Sequence, residues 1–135
     1  MKLILLGPPA AGKGTQAECI AERYSLAHIS TGDMLRAEIS KKTPLGLRAK
    51  ALIDNEIINE MVLSRIQHED CSIGFLLDGY PRTIAQAETL AGAVNIDAVI
   101  DINVDSDILI ERVSSRRVCP KCNHSQCVSA ADTAA

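Results

Sequence analysis

A glycine-rich segment at residues 7–15, GPPAAGKGT, has residue types and spacing that predict phosphate chemistry. It fits the pattern G-x-x-x-x-G-K and lies between a short apolar run and a helical pattern. Glycines let such a loop curl around an anion, and converging backbone N–H groups at a helix N-terminus attract it. The segment predicts a site for nucleotide phosphates formed by Ala10, Ala11, Gly12, Lys13, Gly14 and Thr15. Gly14 stands where the motif usually has Ser or Thr, so ligation of magnesium by a hydroxyl of this loop stays open.

Two further groups carry charge that suits the same chemistry. Asp78 ends an apolar run that predicts a strand beside the loop, where a carboxylate can orient magnesium or its waters. Arg112 and Arg116 are four residues apart and are expected on one helical face. Guanidinium groups suit phosphate oxygens. A solvent-facing basic patch is the alternative interpretation of these arginines.

The hydrophobic pattern predicts an α/β fold that brings these residues to one edge of a parallel sheet. Apolar runs predict strands at 2–6, 27–29, 75–77 and 98–104. Helical spacing follows most of them, and in the helix that begins near residue 83 we expect Ile84, Ala87 and Leu90 or Ala91 to face inward. Three consecutive helical stretches between residues 34 and 66 interrupt the alternation and predict an inserted subdomain. The middle stretch carries Leu45, Ala49, Leu52 and Ile53.

The composition indicates one compact domain and excludes several classes of function. The chain has 135 residues, 47% hydrophobic and 23% charged, with a net charge of −3. This charge argues against binding of nucleic acid through bulk charge. No apolar run predicts a membrane span or a signal-peptide core. The cysteine total of five is odd, which does not suit a disulfide framework and favours a reducing, cytoplasmic location.

Three motifs together resemble the adenylate kinase family. GKGTQ at 12–16, STGDMLR at 30–36 and GFLLDGYPRT at 74–83 with Gln86 occur in the family's order, and the resemblance runs to about residue 122. It implies transfer of a phosphoryl group from ATP with Mg²⁺ to AMP, giving two ADP. It also implies a P-loop NTPase fold with a core at 1–30 and 67–115, a helical AMP-binding insertion at 31–66 and a partial lid with an irregular tail at 116–135. The alternatives are a kinase for another nucleoside monophosphate and a catalytically inactive nucleotide-binding fragment.

The resemblance assigns roles to residues of this sequence. Catalytic roles go to Lys13, Asp78, Arg82, Arg112 and Arg116, and the loop residues with Arg112 and Arg116 would hold ATP. The residues that would hold AMP are Thr31, Arg36, Gly79, Tyr80, Pro81, Arg82 and Gln86. Cys119 and Cys122 resemble the first knuckle of a zinc-containing lid. His124 and Cys127 are too close in sequence to them for a complete zinc site within one chain to be expected.

Three departures from the family affect these expectations. Ala10 replaces a loop glycine, which is tolerable only if the position does not need a positive φ. The segment at 53–61, IDNEIINEM, is shorter than its family counterpart by about a turn and a half of helix. The sequence also stops within the lid, so we expect impaired turnover and an exposed sheet edge at 98–104. We expect a monomer, with self-association through that edge as an alternative.

Overall fold

The computed structural model describes residues 1–41, 55–119 and 125–127. The strands are β1 (Lys2–Leu6), β2 (Ala27–Ser30), β3 (Phe75–Asp78), β4 (Ala98–Asp101), β5 (Arg116–Val118) and β6 (Ser125–Cys127). The helices are α1 (Lys13–Tyr24), α2 (Thr31–Ser40), α3 (Asn55–Arg65), α4 (Ile84–Ala93) and α5 (Ser106–Ser115), with a 3-10 turn at Glu69–Cys71. In this part of the chain, no helix combines the length and the apolar character needed to cross a membrane.

Strands β1 to β4 form one parallel sheet in the order β2-β3-β1-β4. Ile4 of β1 pairs with Leu77 of β3 on one side and with Val99 of β4 on the other. The carboxyl ends of parallel strands share one edge, so the phosphate loop after β1, the start of α2 after β2, and Gly79 after β3 are neighbours. The predicted α/β fold with a parallel sheet is confirmed. The short β5 and β6 form a separate antiparallel pair.

Alternating side chains of the strands divide the core into two apolar layers, one on each face of the sheet. The layer on the α1 side contains Leu3, Leu5, Ala17, Leu26 and Leu76. The layer on the other side, which receives α3 and α4, contains Ile4, Ile29, Val62, Cys71, Phe75, Leu77, Tyr80 and Leu90. The sheet is therefore a central layer that holds the ends of β1, β2 and β3 rigidly in place.

Helices α2 and α3 lie together beside this core. Ile57 and Met61 of α3 pack against Met34 and Leu35 of α2. The predicted middle helical stretch falls on residues 42–54 and lies outside the described residues. The division of the chain into a core, an insertion at 31–66 and a partial lid stays a prediction.

The inward face predicted for α4 is confirmed at Leu90 but wrong at Ile84 and Ala87. Ile84 is 80% exposed and Ala87 is also exposed, whereas Gln86 and Leu90 are buried. The reason is that Gln86 Oε1 accepts a hydrogen bond from the backbone N–H of Arg82 at 2.7 Å, so a polar residue turns toward the core. The apolar periodicity of the sequence contains no signal for this bond.

The strand predicted over 98–104 is shorter in the structure. β4 ends at Asp101 because its ladder partner, β1, ends at Leu6, which pairs with Asp101. All residues of β4 are exposed, with Val99 at 55% and Ile100 at 38%. The expected exposed edge is therefore present in the described part of the sheet.

Candidate functional site

The phosphate loop follows β1 and leads directly into α1. Gly12, the N-cap residue of α1, has a φ of 91°, which glycine adopts without steric cost. Because Gly12 has no side chain to accept from the first-turn N–H groups of α1, those groups are suited to an anion in the loop. Ala10 has a φ of 63°. Alanine was expected to be tolerated at position 10 only if that residue needed no positive φ. The structure does not meet this condition.

Lys13 lies over this loop. Its Nζ donates hydrogen bonds to the backbone oxygens of Gly7 at 2.9 Å and Pro8 at 2.8 Å. Burial lowers the pKa of Lys13, the nearby Asp78 carboxylate acts against this, and the charges of Arg82 and Arg116 lower the pKa further. Asp78, Arg82 and Arg116 therefore all lie close enough to Lys13 to influence its charge.

Asp78 lies at the end of β3, on the side of the sheet that faces α1. Its Oδ2 is 3.9 Å from the position that a Cβ on Gly14 would occupy. Nε2 of His28, on β2, is 3.7 Å from the same oxygen and is buried without a hydrogen-bond partner in the described structure. Thr15 is exposed. A carboxylate oxygen beside the first turn of α1 is the kind of hard donor that Mg²⁺ prefers.

The backbone carbonyl of Gly79, the residue after Asp78, is hydrogen-bonded to two of the residues predicted to bind AMP. Gly79 O accepts from the hydroxyl of Thr31 at 3.1 Å and from Nε of Arg82 at 2.7 Å. Gly79 has a φ of 78°, and a Cβ there would lie 3.0 Å from Arg82 Nη2 and 3.3 Å from Thr31 Oγ1. Glycine is therefore required for this close arrangement.

Three other residues predicted to bind AMP make contacts within the protein core in the structure. Tyr80 is fully buried, and its hydroxyl donates to Asn59 Oδ1 at 2.7 Å. Gln86 is buried, with its Oε1 on the backbone of Arg82. Pro81 follows Tyr80 through a cis peptide bond and lines an apolar cavity of about 230 Å³ on the α4 face of the sheet. These contacts hold the Gly79–Arg82 segment in place, and their direct role toward AMP stays a prediction.

Arg36 is paired within α2. Its Nη2 donates to Asp33 Oδ1, and its Nε is buried without a hydrogen-bond partner in the described structure. Burial raises the pKa of Asp33, but the hydrogen bonds from Arg36 and Ser30 outweigh it, so the pKa lies below its usual value. Asp33 is therefore a carboxylate at neutral pH.

The two arginines near residue 115 are not arranged as predicted. α5 ends at Ser115, and Arg116 is an extended residue that begins β5, so the expected shared helical face is wrong. The two serines before Arg116 donate side-chain hydrogen bonds back to the carbonyls of Glu111 and Arg112, an alternative to helical bonding that favours a helix end. Arg112 still reaches the phosphate loop, where its Nη1 is 3.5 Å from the carbonyl oxygen of Ala10.

The predicted zinc ligands are only partly described. Cys119 is partly exposed, and Cys122 lies outside the described residues. Within 1–41, 55–119 and 125–127, no group of three or more potential metal-ligating side chains occurs.

The structure adds residues to the site that the motifs did not single out. His28 could have been found because it shares a strand face with Ser30, the register partner of Asp78. Asp33 could have been found from its spacing of three residues before Arg36, which allows a helical ion pair. Asn59 has no comparable signal in the sequence, because its partner Tyr80 is distant along the chain.

Comparison with known proteins matches these features to one family. A family model for adenylate kinase matches residues 5–134. The adenylate kinase of Clostridium novyi (strain NT) is 50% identical over 136 aligned positions, which cover 93% of this chain and 63% of that protein. The adenylate kinase of Geobacillus sp. (strain WCH70) is 52% identical over 133 positions, covering 90% of this chain and 62% of that protein. The chain thus spans 62–63% of the length of these relatives.

Proposed function

The chain belongs to the adenylate kinase family, and we propose from this membership that it acts in the transfer of the γ-phosphoryl group of ATP to AMP, giving two ADP. One observation supports the proposal most strongly. A phosphate loop with Lys13, the carboxylate of Asp78 and the Thr31–Gly79–Arg82 cluster meet at the carboxyl ends of three neighbouring strands. Phosphoryl transfer needs two nucleotides in line and positive charge around the transferring group.

The donor nucleotide would occupy the β1–α1 loop. The N–H groups of the first turn of α1 and Nζ of Lys13 would bind the phosphates of ATP, with Lys13 leaving the carbonyls of Gly7 and Pro8. Asp78 fits the role of holding Mg²⁺ or its waters, and the ion when bound neutralises charge on the β- and γ-phosphates. Arg112, near the carbonyl of Ala10, would add charge from the open side of the loop.

The acceptor nucleotide would occupy the edge formed by α2 and the Gly79–Gln86 segment. Arg36 and Arg82 are the proposed ligands of the AMP phosphate, and Thr31 and Gln86 are the proposed contacts of its adenine. The apolar seam between α2 and α3, lined by Thr31, Met34, Leu35, Ile58, Met61 and Val62, lies next to this edge. It has no room for a water molecule, so adenine binding there requires the two helices to separate.

A coupled assay of ADP formation on the purified chain tests this proposal. We expect turnover with ATP and AMP that depends on Mg²⁺, and a preference for AMP in a panel that includes CMP, UMP and GMP. Preference for another acceptor would favour the alternative kinase. Nucleotide binding by calorimetry without any turnover would favour the nucleotide-binding alternative, and absence of both would contradict the proposal. The expectation of impaired turnover is tested in the same assay, where a rate within about tenfold of a full-length relative would contradict it.

A zinc site is a secondary proposal. We propose substoichiometric zinc, or zinc shared between two chains through Cys119, Cys122 and Cys127, because one knuckle supplies half of a tetrahedral shell. The partly exposed Cys119 supports access to such a site. Elemental analysis that found one tightly held zinc per monomer would contradict it.

We also propose that the chain is a cytoplasmic monomer at low concentration and associates through β4 at high concentration. Val99 and Ile100 are exposed on an edge strand, which can pair with another chain. Light scattering at two protein concentrations tests this, with Val99→Lys expected to suppress association. A mass that does not change with concentration would contradict self-association.

A further inference from the structure

Asp33 and Arg36 form an ion pair at the partly exposed start of α2. The side chains are 63% and 41% exposed, respectively. The backbone N–H of Asp33 donates to Ser30 Oγ at 3.3 Å, which fixes Asp33 in the first turn of the helix, where the helix dipole favours a negative charge. A carboxylate on an anchored backbone position therefore pairs with the side chain that we propose for the acceptor's phosphate.

The ion pair engages only one of the two nitrogen donors on one edge of the Arg36 guanidinium. Nε and Nη2 lie on one edge of the planar group, and such an edge can bind two oxygens of one anion. Asp33 accepts from Nη2, while Nε is buried and has no partner in the described structure. A buried donor without a partner is unfavourable. A phosphate that accepted from both Nε and Nη2 would remove this cost, but it would have to displace Asp33 and let Arg36 turn.

The partner of Arg36 differs from the partners of other proposed phosphate ligands. In the described contacts, Lys13 donates to the carbonyls of Gly7 and Pro8, and Nε of Arg82 donates to the carbonyl of Gly79. A carbonyl is neutral, whereas the Asp33 carboxylate has a full negative charge. It therefore occupies the arginine and also repels an approaching phosphate dianion.

We propose that Asp33 competes with the acceptor's phosphate for Arg36 and so lowers the affinity of the site for phosphorylated acceptors. This inference rests on the proposed function, which assigns the acceptor's phosphate to Arg36. It makes Asp33 a determinant of acceptor affinity in addition to its place in the first turn of α2.

Arginine side-chain NMR with inorganic phosphate as the probe tests the competition directly. In Asp33→Asn, we expect the Arg36 Nε–H resonance to respond at phosphate concentrations about twofold to fivefold lower than in the wild type, the range that an exposed ion pair supports. Asp33→Glu keeps the carboxylate and should behave like the wild type. Asp107→Asn removes the first-turn acid of α5, a matched position away from the site, and should not change the response.

Calorimetry with AMP and adenosine separates this inference from the proposed function. Asp33→Asn should tighten AMP binding by a similar factor and leave adenosine, which lacks the phosphate, unchanged. Wild-type protein that bound no AMP would contradict the proposed function, while the phosphate titration would still decide on Asp33. Equal phosphate midpoints in wild type and Asp33→Asn, or no response of Arg36 in either, would overturn the inference. If Asp33→Asn does not fold by circular dichroism, Asp33→Ser replaces it with the same expected shift.

Discussion

Replacement of Ala10 by glycine should stabilise the protein. Ala10 has a φ of 63°, in the left-handed region, where the Cβ of an L-residue approaches the backbone at a cost of about 1–2 kcal/mol. Glycine avoids that cost but loses about 0.5–1 kcal/mol more chain entropy on folding than alanine. We therefore expect Ala10→Gly to raise the free energy of unfolding by about 0.5–1 kcal/mol. For a domain of this size, that corresponds to about 2–5 °C in Tm.

Urea denaturation followed by far-UV circular dichroism measures the change, since the chain has no tryptophan to report by fluorescence. Two control variants show what glycine does to the free energy of unfolding at a position with a positive φ and at one without. Ser25 has a φ of 53° at the end of α1, so Ser25→Gly should also stabilise. Ala11 is buried and is not a positive-φ residue, so Ala11→Gly should destabilise by about 1–2 kcal/mol through chain entropy and a lost methyl group. If Ala10→Gly were destabilised like Ala11→Gly while Ser25→Gly gained stability, Ala10 would not be strained and the reasoning would fail.

Three further changes have expected outcomes. Lys13→Ala should weaken ATP binding by roughly tenfold to a hundredfold, since a charge-assisted hydrogen bond is worth about 1.5–3 kcal/mol; equal affinity by calorimetry would contradict this. Burial raises the pKa of the Cys71 thiol, whereas Cys19 is exposed. Iodoacetamide should therefore modify Cys19 well before Cys71 in native protein, and equal rates by mass spectrometry would refute the expectation. Tyr80→Phe leaves Asn59 Oδ1 without its 2.7 Å donor and should cost about 1–3 kcal/mol in urea unfolding; an unchanged midpoint would contradict this.

Elements that depend on local patterns were predictable from the sequence. The apolar run of β1, the glycine-rich loop and the helical spacing after Lys13 are adjacent in the chain, so no distant contact is needed to find them. The parallel sheet follows because helices connect strands whose apolar runs are short. The relation of Asp78 to the loop follows in turn, since β3 pairs beside β1.

Features that depend on tertiary pairing or on individual side-chain hydrogen bonds were not predictable. The end of β4 is set by the length of β1, and the inward turn of Gln86 is set by a hydrogen bond to a backbone group. The family's glycine at position 10 raised the question of a positive φ, but the residue type could not decide it, because alanine usually avoids that conformation. Residue type alone therefore indicates which chemistry is available but not which of these groups are already engaged within the protein.

The central position of β3 explains how one short segment can serve both proposed nucleotide sites. β3 lies between β1, which leads into the phosphate loop, and β2, which leads into α2. Neighbouring strands are about 4.8 Å apart, so the ends of β1 and β2 are only about 10 Å from each other across β3. Asp78, the last residue of β3, lies beside Gly14, and the next residue, Gly79, accepts hydrogen bonds from Thr31 and Arg82. Successive residues thus contact the donor side and the acceptor side, and a displacement of this strand end would alter both sites together.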